Sequence, residues 1–158
     1  MKQHKQNKNK EARLADLSPI MSVEELDRFM EVAFPQMHEG GRLNVIEDVG
    51  PGTARLRLRY SDRNLRPGGT ISGPAMMALA DYAMYAVVLA HIGPVALAVT
   101  TNLSINFLRK PGPDDIVAEA KLLKLGRRLA VGDVLMWQEG LDGPVAHVTS
   151  TYSIPPDR

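Results

Sequence analysis

The sequence predicts an α+β domain in which an antiparallel β-sheet wraps a long central α-helix. Three observations carry that prediction. Residues 75–92 are apolar on nearly every face and hold one charge, Asp81, so a helix there must be buried. The flanking segments alternate apolar and polar side chains, as strands with one covered face do. Turn signals such as Gly50-Pro51-Gly52 and Asp142-Gly143 separate those strands.

The elements follow in order along 158 residues, enough for one domain with a real core. Residues 1–20 are expected to be a polar, basic and flexible leader, with a single domain over 21–158. Of the 19 basic and 18 acidic side chains, Lys2, Lys5, Lys8, Lys10, Arg13 and Glu11 fall in the leader, which leaves 14 against 17 for the rest. A body of that sign is not a nucleic-acid-binding domain. No apolar signal core follows the leader, so the cytoplasm is the expected location.

Ser22-Val23-Glu24-Glu25 is a capping box, and Leu26, Phe29, Met30 and Ala33 continue it at helical spacing until Pro35. Ala54, Leu56, Leu58 and Tyr60 alternate with Thr53, Arg55, Arg57 and Arg59, predicting a half-solvated strand that pairs with 42–49. In a strand over 97–107, Leu97, Val99, Leu103, Ile105 and Phe107 are expected on one face, with Thr101 the exception. Three further strands are expected at about 116–124, 129–138 and 144–153. The helix between them is opened by Ser72 or Gly73 and Pro74 and stopped by Gly93. It approaches the length needed to span a bilayer, but Asp81 at its middle and amphipathic strands on both sides argue against a membrane span.

The chain has no cysteine, which excludes disulfides, thiolate metal sites and a cysteine nucleophile. The histidines at 4, 38, 91 and 147 are not paired at ligand spacing, so no metal is expected. Attention falls on Asp81, either a satisfied buried aspartate or a working carboxylate in a cleft. The glycine-rich stretch Arg66–Pro74 runs into the same helix, whose free N–H groups can hold an anion or a developing oxyanion. A donor in the first turn and a carboxylate two turns on suit acyl transfer.

Gly69-Thr70-Ile71-Ser72-Gly73-Pro74 followed by Leu79-Ala80-Asp81 resembles the hot-dog-fold acyl-coenzyme A thioesterases of the phenylacetate-degradation type. Their pattern is Asn-x-x-Gly-x-x-His-Gly-Gly and then Leu-x-Asp. The resemblance extends through Val99–Pro111, Leu125–Val131 and Val145–Tyr152 and covers roughly residues 22–154. It implies a hot-dog fold and hydrolysis of an acyl-coenzyme A without a metal or redox cofactor. It also implies a homodimer, or a dimer of dimers, with sites built across the interface. Asp81 matches the catalytic carboxylate, as nucleophile or general base. Gly73 matches the oxyanion donor and would face Asp81 of the other subunit. Thr100 falls near a hydroxyl position that orients water.

Three departures accompany the match. Ser72 stands in place of the family histidine, Pro74 replaces the second glycine, and Arg66 occupies the position of the asparagine. Losing an oxyanion donor costs ~10²–10³ in rate, so Arg66, or Asn64 two residues earlier, must supply what the asparagine would have. Arg109, Lys110, Arg127 and Arg128 are candidates for coenzyme A phosphates, against the plainer role of solvated charges. Met76, Met77 and Met84 are candidates for an acyl pocket or for core. Trp137 and His147 are expected to be sheet residues, and His91 a cation favouring the helix C-terminus. The rivals are a non-catalytic acyl-coenzyme A-binding or regulatory protein, and an enoyl-coenzyme A hydratase. The second wants a histidine shortly after the aspartate, and none stands there.

Overall fold

Apolar residues on every side of one helix require a cover on most sides, and a curved sheet supplies it. The computed structural model describes residues 16–156; most of the expected leader, residues 1–15, lies outside the described residues. The elements are α1 (Val23–Ala33), β1 (Asn44–Gly50), β2 (Thr53–Leu58), β3 (Leu65–Arg66) and β4 (Thr70–Ile71). They continue with α2 (Gly73–Ile92), β5 (Val99–Phe107), β6 (Ile116–Leu125), β7 (Leu129–Trp137) and β8 (Ala146–Ser153). Six strands form an antiparallel sheet in the order β1-β2-β6-β7-β8-β5. Short 3₁₀ turns at Pro35–His38 and Asp62–Asn64 complete the chain.

The local signals work as chemistry. Ser22 accepts from the Glu25 N–H and Glu25 from the Ser22 N–H, so both halves of the capping box form. Ser72 caps α2 by accepting from the Ala75 N–H, and Gly93 ends it at φ 95°, a backbone region that favours glycine. Ile20 and Met21 donate their N–H groups to the Ala90 carbonyl, which ties the entry to α1 against the end of α2.

The helix lies close to the sheet because the facing residues are small. Ala118, Ala120, Ala130 and Ala146 are buried on the inner face. At Gly132 a Cβ would meet the Lys121 carbonyl oxygen and the Met84 sulfur at 2.7 Å each. By length and composition α2 could cross a membrane, but Leu79, Ala80, Ala83, Met84, Val87 and Leu89 are fully buried within the fold.

Two expectations change. In β5 the register shifts between Thr100 and Asn102: Thr100 opposes Tyr152 and Asn102 opposes Thr151, which leaves Thr101 as a bulge. The inner face therefore carries Thr100, Leu103, Ile105 and Phe107, whereas Val99 opposes Ser153. Leu97 precedes the strand and is 74% exposed. The second change concerns His91, which is no exposed cation. Its Nε2 accepts from the Gly52 N–H at 2.9 Å and its Nδ1 lies 2.7 Å from the Val87 carbonyl. Those partners fix a neutral ring that donates from Nδ1.

Candidate active site

The site begins with a carboxylate held by two hydroxyls. Asp81, half-buried on α2, accepts at Oδ1 from Thr100 Oγ1 at 2.5 Å and from Tyr152 Oη at 2.7 Å. Tyr152 also lies 2.9 Å from the Asp81 carbonyl oxygen. The β5 bulge turns Thr100 inward, and Tyr152 follows in phase with Ala146, Val148 and Ser150 on β8. Burial, and the negative charge of Asp81 beside it, push the Tyr152 hydroxyl well above the usual phenol range, so it stays a donor. Among the described residues, Asp81 Oδ2 has no hydrogen-bond partner. A cavity of about 550 Å³ opens on this group, lined also by Phe34, Met37, Tyr82 and Tyr85.

The other end of α2 offers a donor. Ser72 Oγ is taken by the Ala75 N–H at 3.3 Å, and the Met76 N–H goes to the Ser72 carbonyl. Pro74 has no N–H. Gly73 is thus the one first-turn amide without a partner among the described residues. It borders a second cavity of about 490 Å³ with Arg66, Met76, Phe107, Arg109 and Lys110. The Phe107 ring lies against it; a Cβ there would meet Cζ at 3.2 Å. The glycine-rich stretch leading in is a small hairpin, β3 and β4, whose turn places Gly68 and Gly69 at φ 102° and 77°. The Asn64 carbonyl pins the hairpin to the helix by accepting from the Ser72 N–H at 2.7 Å.

The candidate residues thus fall into two groups. Asp81 and Thr100 share one cavity; Gly73, Arg66, Arg109 and Lys110 share the other. Eight residues along α2 separate Gly73 from Asp81, about 12 Å of rise. Arg127 and Arg128 lie in the β6–β7 turn at the Val99 end of the sheet, since Leu129 and Val99 both oppose Ser153. Arg109 is partly committed to the β7–β8 turn through Nη1 to the Pro144 carbonyl at 3.0 Å. Ser72 and Asn64 line neither cavity; the Asn64 Nδ2 is buried without a partner. Of the methionines, Met84 is core, Met77 is exposed and Met76 borders the Gly73 cavity. Trp137 is partly exposed at the end of β7, and His147 pairs with Asp133 at 3.3 Å. Among the described residues no group of three histidine or carboxylate side chains could hold a metal.

A family model described as the thioesterase superfamily matches residues 68–144. The crystal structure of a putative thioesterase from Silicibacter sp. TM1040 is 49% identical, with a TM-score of 0.80, and the match covers 89% of this chain and 96% of that one. The chain belongs to the thioesterase superfamily. Hydrolysis of thioesters is the chemistry of its family, and its sheet-wrapped helix is the hot-dog fold that the sequence resembles. This thioesterase-superfamily protein is also similar to the phenylacetic acid degradation protein PaaI of Thermus thermophilus, at 26% identity and a TM-score of 0.63 over 77% of this chain and 99% of that one. A putative esterase of Saccharolobus solfataricus is 26% identical over 122 residues, 77% of this chain and 72% of its own length.

Sequence reasoning missed Tyr152 as a partner of Asp81. Its in-phase place on the inner face of β8 is a signal, but the pairing spans 71 residues. Tyr152→Phe is expected to lower the rate of thioester hydrolysis by roughly 10–100-fold, the scale of one hydrogen bond to a charged group. Steady-state kinetics beside an unchanged circular dichroism spectrum checks it.

Proposed function

We propose that the chain is an acyl-coenzyme A thioesterase whose active sites are completed between two subunits. One observation carries this reading: Gly73 and Asp81, the donor and the carboxylate, border different cavities of one rigid helix. One chain cannot aim both at the same carbonyl. A second copy can.

The edge of the sheet supports that partner. β5 is a nine-residue strand with one open side and half-exposed Val99 and Phe107, and an open edge of that length invites pairing. Beside it α2 leaves Met77 and Ala78 exposed, with Asp81 and Tyr85 half-covered. Two-fold antiparallel pairing through β5 sets the Val99 end of one strand against the Phe107 end of the other. Asp81, Thr100, Arg127 and Arg128 of one subunit then approach Gly73, Arg66, Arg109 and Lys110 of its partner. The basic groups on both sides suit the phosphates of coenzyme A, which enters as part of the substrate.

In the reaction, the Gly73 N–H donates to the thioester oxygen as negative charge develops there. Asp81 uses Oδ2 either to take a proton from an attacking water or to attack the carbonyl carbon itself. The tetrahedral intermediate collapses with cleavage of the C–S bond. The thiolate leaves as coenzyme A and takes up a proton; the acid is the other product, after hydrolysis of the anhydride if Asp81 attacked. Thr100 and Tyr152 keep the carboxylate oriented throughout.

Mixing two inactive variants tests the composite site. Asp81→Asn removes the carboxylate, and Gly73→Pro removes the amide hydrogen at a first-turn position that tolerates proline. Each parent is expected to release almost no thiol from hexanoyl-coenzyme A. Unfolding and refolding them together should restore about a quarter of wild-type activity, because half the dimers are mixed and each mixed dimer has one intact site. No recovery in a preparation shown to contain mixed dimers would sink the shared site. Wild type that binds acyl-coenzyme A but never releases thiol would instead mark a binding protein.

A further inference from the structure

One polar group in the Asp81 cavity has no task in the chemistry above. Of the four tyrosine hydroxyls, Tyr60 donates to Asp62, Tyr85 to the Ala96 carbonyl and Tyr152 to Asp81. The fourth, on Tyr82, is buried without any partner, and the residue is only 4% exposed. Tyr82 nevertheless lines the cavity that holds Asp81. A phenylalanine would pack as well there and leave no unpaired donor in an apolar site, so the hydroxyl is a standing cost to the empty protein.

Its place along the cavity follows from the charges that act on it. Asp27 on α1 and Arg42 just before β1 influence this hydroxyl, and burial, the largest effect, pushes it up to about 12. It therefore remains a neutral donor at any pH at which the protein works. Asp81 is not among the groups that act on it, so the hydroxyl sits at the α1 end, remote from the carboxylate. Between the two ends stand Phe34, Met37, Ala78 and Tyr85. An acyl group anchored at Asp81 would run along apolar walls and end at a lone hydroxyl.

We infer that Tyr82 selects acyl groups that carry a hydroxyl or carbonyl oxygen at the end distal to the thioester. The inference rests on the thioesterase reading of the same cavity but concerns recognition rather than turnover. Tyr82 is a specificity residue: its hydroxyl pairs with the substrate oxygen, and a purely apolar acyl end leaves that hydroxyl as unpaired as it is in the empty protein. Discrimination on the order of 10–100-fold is the size of one such buried hydrogen bond gained or lost.

The test uses matched coenzyme A thioesters: 6-hydroxyhexanoyl against hexanoyl, and 3-(4-hydroxyphenyl)propanoyl against 3-phenylpropanoyl. Wild type should favour the hydroxylated member of at least one pair by roughly 10–100-fold in kcat/KM. Tyr82→Phe should lose that preference while turning over the apolar member at least as well. Equal treatment of both members by wild type, or a preference that survives in Tyr82→Phe, overturns the inference. Binding of the same pairs to Asp81→Asn, followed by calorimetry, separates this from the catalytic reading. If no thiol is ever released but the binding preference appears and depends on Tyr82, the thioesterase reading fails and the specificity role stands. Thermal unfolding adds a readout free of ligand. Tyr82→Phe should leave Tm unchanged or raise it by roughly 2–4 °C; a fall of that size would mean the hydroxyl is paired within the protein, and would also overturn the inference.

Discussion

Asp81→Asn should cut the release of coenzyme A by ~10²–10⁴-fold, the range set by a positioned general base, while the variant folds and still binds acyl-coenzyme A. The amide is nearly isosteric with the carboxylate. Its oxygen can still accept from Thr100 and Tyr152, which in the native protein both point at Oδ1, so the side chain keeps its orientation. What disappears is the charge and basicity at Oδ2, the atom left for water or for the thioester carbon. Thiol release measured on acetyl-, hexanoyl- and lauroyl-coenzyme A, beside calorimetric affinities for the same compounds, checks the two halves of the expectation. A rate within a few-fold of wild type would make Asp81 a structural aspartate held by two hydroxyls. Parallel losses in rate and affinity would point to substrate binding rather than chemistry.

Gly132→Ala should destabilise the fold by about 1–3 kcal/mol, in the range of overpacked cores. The added methyl meets the Lys121 carbonyl oxygen and the Met84 sulfur, both at 2.7 Å. The carbonyl cannot yield cheaply, because Lys121 pairs with Asp133 in the β6–β7 ladder and Thr53 in the β2–β6 ladder. The sulfur belongs to a fully buried side chain that must find a new rotamer among packed neighbours. Thermal melts should show Tm lower by roughly 2–4 °C for each kcal/mol in a domain of this size. Met84→Ala costs stability alone but should partly relieve Gly132→Ala in the double variant, a coupling that a mutant cycle reads directly. A Gly132→Ala protein as stable as wild type would mean that α2 lies farther from the sheet than described.

Much of this architecture is legible in the residues because local chemistry dictates it. Ser22 and Glu25 announce α1, Gly93 stops α2, and the alternation of Ala54, Leu56 and Leu58 defines β2 from its own side chains. The carboxylate is legible for the same reason: one charge in an otherwise apolar helix needs partners. The partners themselves are not. Tyr152 reaches Asp81 only after β8 takes its register beside β5, and no window of sequence contains both. His91 looks like a dipole-facing cation until the β1–β2 turn brings the Gly52 N–H to it. The basic residues share one sign and one expected role in the sequence, yet the two ends of the sheet divide them into Arg109 with Lys110 and Arg127 with Arg128. Tyr82 resembles any core aromatic, because an unpaired hydroxyl is a property of surroundings and not of spacing.

The bulge at Thr101 makes parity along β5 a property of the site. Thr100 stands an odd number of positions before Phe107, and in a regular strand that spacing puts two side chains on opposite faces. The extra residue reverses the phase and brings both to the inner face. A strand of the same length without the bulge would instead set position 101 opposite Tyr152. Here that position is also a threonine, so a one-residue slip upstream of Asn102 would exchange one hydroxyl for another beside Asp81. A regular relative of this chain would therefore carry its equivalent oxygen at the place of Thr101 rather than Thr100. Comparing such sequences column by column would score the hydroxyl as lost where it has only moved.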